Sequence, residues 1–285
     1  MSKIAFVTDS LTSMSAEYVQ RYHIHVVPNI LVWSGEEYRD WVDITPSEFF
    51  TRLKTSRDFP TTAAVAPNTF RELFANLLVN GFDICGVFTS TTMSRTCLAA
   101  QEAKEMLGAD NIIVIDSQTA AMAVGWPLIL ASRAADKGAS LTECAALARE
   151  GLANTGGIVT VDSLEHLQRS GRLGSAQRFI GSLLNVKPIL EMVDGQPALA
   201  ERVRTRRRAL TQLGEVTVAR VNGRSPLHLS ILHYDAIDDA QTLLTMLQER
   251  LVLDEFFIGE GSANTAVHFG PGALSIQFMA GVPDP

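Results

Sequence analysis

The segment Ile84-Cys85-Gly86-Val87-Phe88-Thr89-Ser90-Thr91-Thr92-Met93-Ser94-Arg95-Thr96 passes from a short apolar run directly into a block of hydroxyls. Ile84–Phe88 is too short for a helix and reads as a buried strand. The stretch from Ser94 to Leu107 reads as the helix that follows it. The same order recurs on both sides. Ile4–Thr8 is an apolar run ending in Thr8-Asp9-Ser10, and Asn111–Ile115 ends in Asp116-Ser117. His25–Val32 reads as a further extended segment, and Gly157–Val161 as another strand. Helices are expected from Ser15, as a cap, to Tyr22, from Pro46 to Leu53, and over Pro67–Val79, where Phe70, Leu73, Phe74 and Leu77 share a face. Two more are expected over Thr119–Lys137, stopped by Gly138, and over Leu141–Ala153. Strands alternating with helices predict a parallel sheet covered on both faces. The three polar clusters that follow strands then converge on one sheet edge, where open α/β sheets bind ligands.

The second half reads differently. Leu164–Gln168 and Ala176–Leu184 suggest short helices. Val186–Val193 and Ala198–Val203 are extended runs joined at Asp194-Gly195, a hairpin signal. Helices follow at Arg206–Val221 and Ala240–Leu251, with strands at Leu227–His233, Glu255–Gly259 and Ala273–Met279. The expected architecture is an N-terminal parallel-sheet α/β domain, residues 1–158, and a C-terminal α+β domain with a mixed sheet, residues 159–285. The boundary falls within residues 155–165.

The chain has 285 residues, 46% hydrophobic and 19% charged, which fits a globular protein. With 24 Lys and Arg against 31 Asp and Glu, its net charge is −7. That sign disfavours a general nucleic-acid binder. No apolar run approaches the roughly 18–20 residues of a membrane span, and the N-terminus does not resemble a signal peptide. Cys85, Cys97 and Cys144 match no metal or redox spacing. They read as reduced packing residues of a cytoplasmic protein.

The sequence lacks a phosphate loop, a strand-linked dinucleotide motif, a zinc-protease motif and a nucleophile elbow. No metal and no cofactor is expected. What stands out suits anion binding better than bond-breaking. Residues Thr89–Thr96 carry six hydroxyls at the start of a helix. They form either an anion cradle or a plain capping loop. Thr61-Thr62 precede the helix at Pro67 and reach toward the same edge, or belong to an ordinary loop. Arg172 sits beside Gly171, and His268 beside Gly270-Pro271-Gly272. Each is either a ligand contact or a surface or structural residue.

Taken together, seven ordered segments resemble the DegV family of bacterial fatty-acid-binding proteins over nearly the whole chain. They are Val7–Ser10, Pro60–Thr62 with Pro67 and Phe70, Thr89–Thr96, Asp116-Ser117, Asp162–Arg172, Lys187–Leu190 with Asp194-Gly195, and His268–Ala273. The resemblance implies one long-chain fatty acid held between two domains, its tail mainly in the C-terminal one. Carried over by position, Thr62 and Ser94 hydrogen-bond the carboxylate, with Thr61, Arg95, Thr96, Arg172 and His268 around the head group. It also implies a non-catalytic carrier that presents the fatty acid to a separate fatty acid kinase for acyl-phosphate formation. Three features depart from the family pattern. Ala63-Ala64 and Val65-Ala66 replace its polar residues after the first Thr. Arg95 replaces the Gly of its serine motif, and Ser170 replaces the first Gly before Arg172.

Arg202, Arg204, Arg206, Arg207 and Arg208 crowd into seven residues. On the carrier reading, Arg202 and Arg204 dock the kinase or touch an anionic membrane surface. A second reading is an anion- or nucleic-acid-binding regulatory module using the same patch. A third is a hydrolase with Ser94 as nucleophile and His268 as base, oriented by Asp9 or Asp116.

Overall fold

A computed structural model describes residues 3–175, Gln177 and residues 186–285. The helix expected at Ala176–Leu184 lies outside the described residues, Gln177 apart. Four strands form a parallel sheet in the first part of the chain. They are β1 (Lys3–Asp9), β2 (Ile24–Val27), β6 (Phe82–Phe88) and β7 (Ile112–Asp116), in the order β2-β1-β6-β7. Side chains alternate across it as a pleat requires. Ala5 and Val7 face α3 (Pro67–Val79) and α4 (Thr96–Leu107) in one buried cluster. Phe6, Cys85 and Val87 face α1 (Ala16–Arg21), α5 (Met122–Asp136) and α6 (Leu141–Ala153) in another. Both faces are therefore covered, as expected.

The expected extended segment His25–Val32 is two strands in different sheets. Pro28 has no N–H to donate, and the parallel ladder ends at Val27. The chain then enters β3 (Ile30–Trp33), which pairs antiparallel with β4 (Glu36–Arg39) and β5 (Thr61–Ala63). This three-stranded sheet was not expected from the sequence. With α2 (Pro46–Leu53) it packs Leu31, Trp33, Phe49 and Phe50 onto Val159, Leu190 and Tyr234 of the second half.

The second large sheet is mixed and six-stranded. Its strands are β8 (Thr155–Thr160), β9 (Lys187–Val193), β10 (Gln196–Val203), β11 (Leu227–His233), β12 (Glu255–Glu260) and β13 (Leu274–Ala280). The order is β10-β9-β8-β13-β11-β12, with only β11 and β12 parallel. The Asp194-Gly195 hairpin joins β9 to β10 as expected. Leu274, Ile276 and Phe278 face α8 (Arg206–Val221) and α9 (Ile237–Gln248). Alternate residues of the same strand, Ser275 and Gln277, face the other way. Between β8 and β9 lies α7 (Glu165–Arg169), and between β12 and β13 a short helix, α10 (Ala263–Phe269). The latter was not expected, and it carries His268. Among the described residues no helix is long and apolar enough to cross a membrane.

Candidate functional site

The three polar clusters do converge. Asp9, at the end of β1, is buried and accepts hydrogen bonds from Thr89 N at 2.9 Å, Thr89 Oγ1 at 3.0 Å and Leu11 N at 3.0 Å. Burial pushes its carboxyl above the usual range, against these bonds. Asp116, at the end of β7, accepts from Thr91 Oγ1 at 2.6 Å and Gln118 N at 3.0 Å. Both carboxylates thus hold the Thr89–Thr92 loop to the sheet edge, and neither is bonded to His268.

This edge faces the inner surface of the six-stranded sheet across an apolar pocket. Leu11, Thr89, Met93 and Ala121 form one wall, and Gly157, Val159, Met192, Ser275 and Gln277 the other. Gly157 and Gln277 are cross-strand partners, as are Val159 and Ser275, so that wall is one face of the β8–β13 ladder. Ala121 has a positive φ of 56°, unusual for a residue with a Cβ, on a wall of the pocket. The enclosed space is about 60 Å³.

Arg172, His268 and Phe269 also line it. Arg172 Nε donates to Met93 O at 3.3 Å and Nη1 to Ser170 O at 2.6 Å, so its side chain spans from α7 to the loop of the first sheet. Gly171 has φ 70° at that turn. Ser170, with φ −85°, needs no glycine there and closes its hydroxyl on His166 O at 2.7 Å. His268 Nδ1 is buried without a hydrogen-bond partner. Burial, with smaller effects from Arg172 and His166, holds its imidazole down to about 3, so the ring is neutral at pH 7. An unpaired buried polar atom costs about 1–3 kcal/mol, which a ligand oxygen or N–H at that position offsets. Ser275 Oγ, close to the Tyr234 hydroxyl, also lacks a well-formed hydrogen bond.

Ser94 does not open α4. Arg95 is the cap, exposed and without a side-chain capping bond, and the helix begins at Thr96. Ser94 Oγ lies 2.9 Å from Thr96 Oγ1 and accepts from Thr96 N at 3.3 Å. It follows Met93, a pocket residue, and is not itself among the walls. It makes no hydrogen bond to His268, so nothing in this arrangement activates it as a nucleophile. Thr62 lies half-buried on β5 opposite Leu31, and Thr61 is exposed opposite Val32. The alanines departing from the family pattern have a visible effect at Ala66. It caps α3 with no side-chain hydrogen bond, where Ser or Thr would supply one.

The hairpin turn reaches the same loop. Gly195 O accepts a short hydrogen bond from Thr92 Oγ1. A Cβ at Gly195 would lie 2.5 Å from Ser90 Oγ, and its φ is +79°. Gly195→Ala is therefore expected to cost about 1–2 kcal/mol from backbone conformation alone, before the clash is relieved. A thermal melt indistinguishable from wild type would show that the hairpin does not seat on the loop in this way.

The arginine run is smaller than its sequence suggests. Arg206 is turned inward, with Nε 2.7 Å from Asp239 Oδ2 and Nη1 2.6 Å from Gly272 O. Arg202, Arg204, Arg207 and Arg208 are exposed. Among the described residues no cluster of His, Cys, Asp and Glu is arranged to hold a metal ion.

The family model described as uncharacterised proteins of the DegV family matches residues 3–281. A DegV domain-containing protein of Caldanaerobacter subterraneus subsp. tengcongensis is 31% identical over 278 residues, 98% of this chain and 99% of that one. Among solved structures, a DegV family protein of Thermus thermophilus described by its fatty acid binding superposes with a TM-score of 0.91 at 29% identity, covering 98% of this chain and 99% of that one. DegV of Bacillus subtilis, described as a fatty acid binding protein, gives 0.88 at 28% identity, covering 98% and 100%.

Proposed function

The chain belongs to the DegV family, and from that premise we propose that it binds one long-chain fatty acid between its two large sheets. Ser94 and Thr62 hydrogen-bond the carboxylate, and Arg172 and His268 stand beside it. The observation that carries this reading is a guanidinium and an unpartnered buried imidazole nitrogen brought together in one apolar pocket. A carboxylate taken from water needs several donors, and these groups supply them next to an apolar path. Two relatives sharing the fold at 28–29% identity are described as fatty-acid binders.

The tail supplies the affinity. About 14 methylenes at ~0.8 kcal/mol each give a transfer free energy of roughly 11 kcal/mol, less the costs of association. Sub-micromolar binding is the expected result. Pockets for ligands of this size run to roughly 300–1,000 Å³. The space of about 60 Å³ walled by the described residues therefore has to widen. Met93 and Met192, unbranched and adaptable, are the side chains suited to give way.

On this reading the protein is a carrier. It holds the carboxylate near the loop edge, where a separate kinase acts on it, and exposed Arg202 and Arg204 help to dock that kinase. Reversing both charges is expected to slow kinase-dependent turnover of bound lipid without emptying the pocket. Normal turnover in the double variant removes the docking role. The fatty acid itself is tested by mass spectrometry of the purified protein, intact and then denatured. A stoichiometric fatty acid released only on denaturation supports the carrier reading. A protein that is empty and takes up no added fatty acid sinks it. Ser94→Ala and Thr62→Ala are each expected to weaken binding by about tenfold, the worth of one hydrogen bond to a charged group. Unchanged affinity in both removes them from the head-group site.

A further inference from the structure

Asp40 follows β4 at the turn Asp40-Trp41-Val42-Asp43, and it is fully buried. Its Oδ2 accepts from Ser10 Oγ at 2.7 Å, and its Oδ1 from Asn264 N at 3.3 Å. Ser262 and Ala263 N also donate to it. It therefore receives the start of α10, the helix that brings Thr265, His268 and Phe269 into the pocket. The other side of Asp40 leads back to the first sheet. Ser10 Oγ accepts from Asn29 N at 3.0 Å and lies 3.4 Å from Asn29 Nδ2. Asn29 Oδ1 accepts from Thr96 Oγ1 at 2.7 Å, and Thr96 Oγ1 meets Ser94 Oγ at 2.9 Å. A chain of hydrogen bonds thus runs from Ser94 to the helix of His268, with Asp40 at its α10 end and Asp9, which also accepts from the Asn29 side chain, beside its middle.

We propose that Asp40 is the positioning residue of the head-group site, tying the His268 helix to the Ser10–Asn29–Thr96 chain of the first sheet. This rests on the fatty-acid reading above. An ionised carboxylate only accepts, so Ser10 donates to Asp40 and receives from Asn29. The Asn29 amide, whose N–H group also donates to Asp9, turns its oxygen toward Thr96, which donates to it. Asp40 thereby holds the start of α10, and with it His268, against the loops of the first sheet that carry Ser10, Asn29 and Thr96.

Asp40→Asn keeps the shape and places an amide N–H where Oδ2 accepted, because the remaining oxygen is held by Asn264 N. Ser10 then faces donors on both sides. Burial pushes the Asp40 carboxyl up to about 7, so the comparison is made at pH 8, where it is ionised. Delipidated wild type, Asp40→Asn, Ser10→Ala and the double variant are titrated with oleate by calorimetry. Each single variant is expected to bind about 5–20-fold more weakly, and the double no more weakly than Ser10→Ala alone, because both act through one chain. The His268 imidazole cross-peak, assigned with His268→Gln, is expected to shift in lipid-free Asp40→Asn. Wild-type affinity with an unmoved His268 signal overturns the proposal, and so do additive losses. If Asp40→Asn does not fold, Ser10→Ala decides by the same two readouts. If wild type binds no oleate, the fatty-acid reading fails, and the His268 signal alone decides the role of Asp40.

Discussion

Arg172→Glu is expected to weaken fatty-acid binding by at least about 100-fold and to yield a protein that purifies without lipid. The guanidinium is half-buried and spends donors on Met93 O and Ser170 O, leaving the rest of its fork toward the pocket it lines. A hydrogen bond to a charged group is worth about 1.5–3 kcal/mol, and each 1.4 kcal/mol is tenfold in affinity. Replacing the cation with an anion removes that attraction and adds repulsion between two carboxylates with little water between them. A second readout needs no ligand. The Arg172 charge helps to hold the His268 imidazole down at about 3. Its reversal is expected to raise that value, read from the pH titration of the His268 ring signal. Arg172→Gln, which keeps some donors without the charge, is expected to fall between. A variant that binds oleate as wild type does, with His268 unmoved, would place the head group elsewhere.

How far this site was readable in advance depends on the range of the interactions that build it. The apolar face of Pro67–Val79 marks that helix to its observed ends, and the helices read at Leu141–Ala153 and about Arg206–Val221 also have the observed ends. The convergence of Asp9, Thr89 and Asp116 followed from parallel strands ending on one edge. By contrast, β4 is Glu-Glu-Tyr-Arg, polar on both faces and four residues long, so it carries no alternation to detect. Strand β5 has only three residues and gains its identity from pairing with β3. Helix α10 has seven, too few for a periodic window, and its one local signal was Ser262, which accepts from Thr265 N. Asp40 is the sharpest case. In sequence it is a lone aspartate just after a short polar strand, a solvated position by default. Its partners are Ser10, thirty residues back, and the start of α10, more than two hundred residues further on.

The second large effect is expected at Glu255, on the edge strand β12. Its carboxylate accepts from Arg133 Nη2 at 2.6 Å and Tyr18 OH at 2.9 Å, with His228 Nδ1 at 3.0 Å. Arg133 also donates to Tyr22 OH at 2.8 Å and Asp284 Oδ1 at 2.8 Å. Helices α1 and α5 of the first sheet are thus fastened to β11 and β12 of the second. The Arg133 and Glu255 side chains are only 18% and 20% exposed, so water screens the pair weakly. Burial alone would raise the Glu255 carboxyl, but the hydrogen bonds from His228, Arg133 and Tyr18 outweigh it and bring it down to about 2. A carboxyl depressed in the folded state is more protonated when unfolded. It therefore stabilises the fold fully above its ordinary value of 4.5 and loses that contribution as pH falls toward 2. The difference corresponds to about 3 kcal/mol at pH 7. Glu255→Gln is expected to lower the melting temperature at pH 7 by roughly 6–12 °C, with the gap closing toward pH 3. A gap equally wide at both pH values would mean that packing, not charge, holds this edge. The pocket lies between the same two sheets, so the fastening at Glu255 also sets the spacing of its walls.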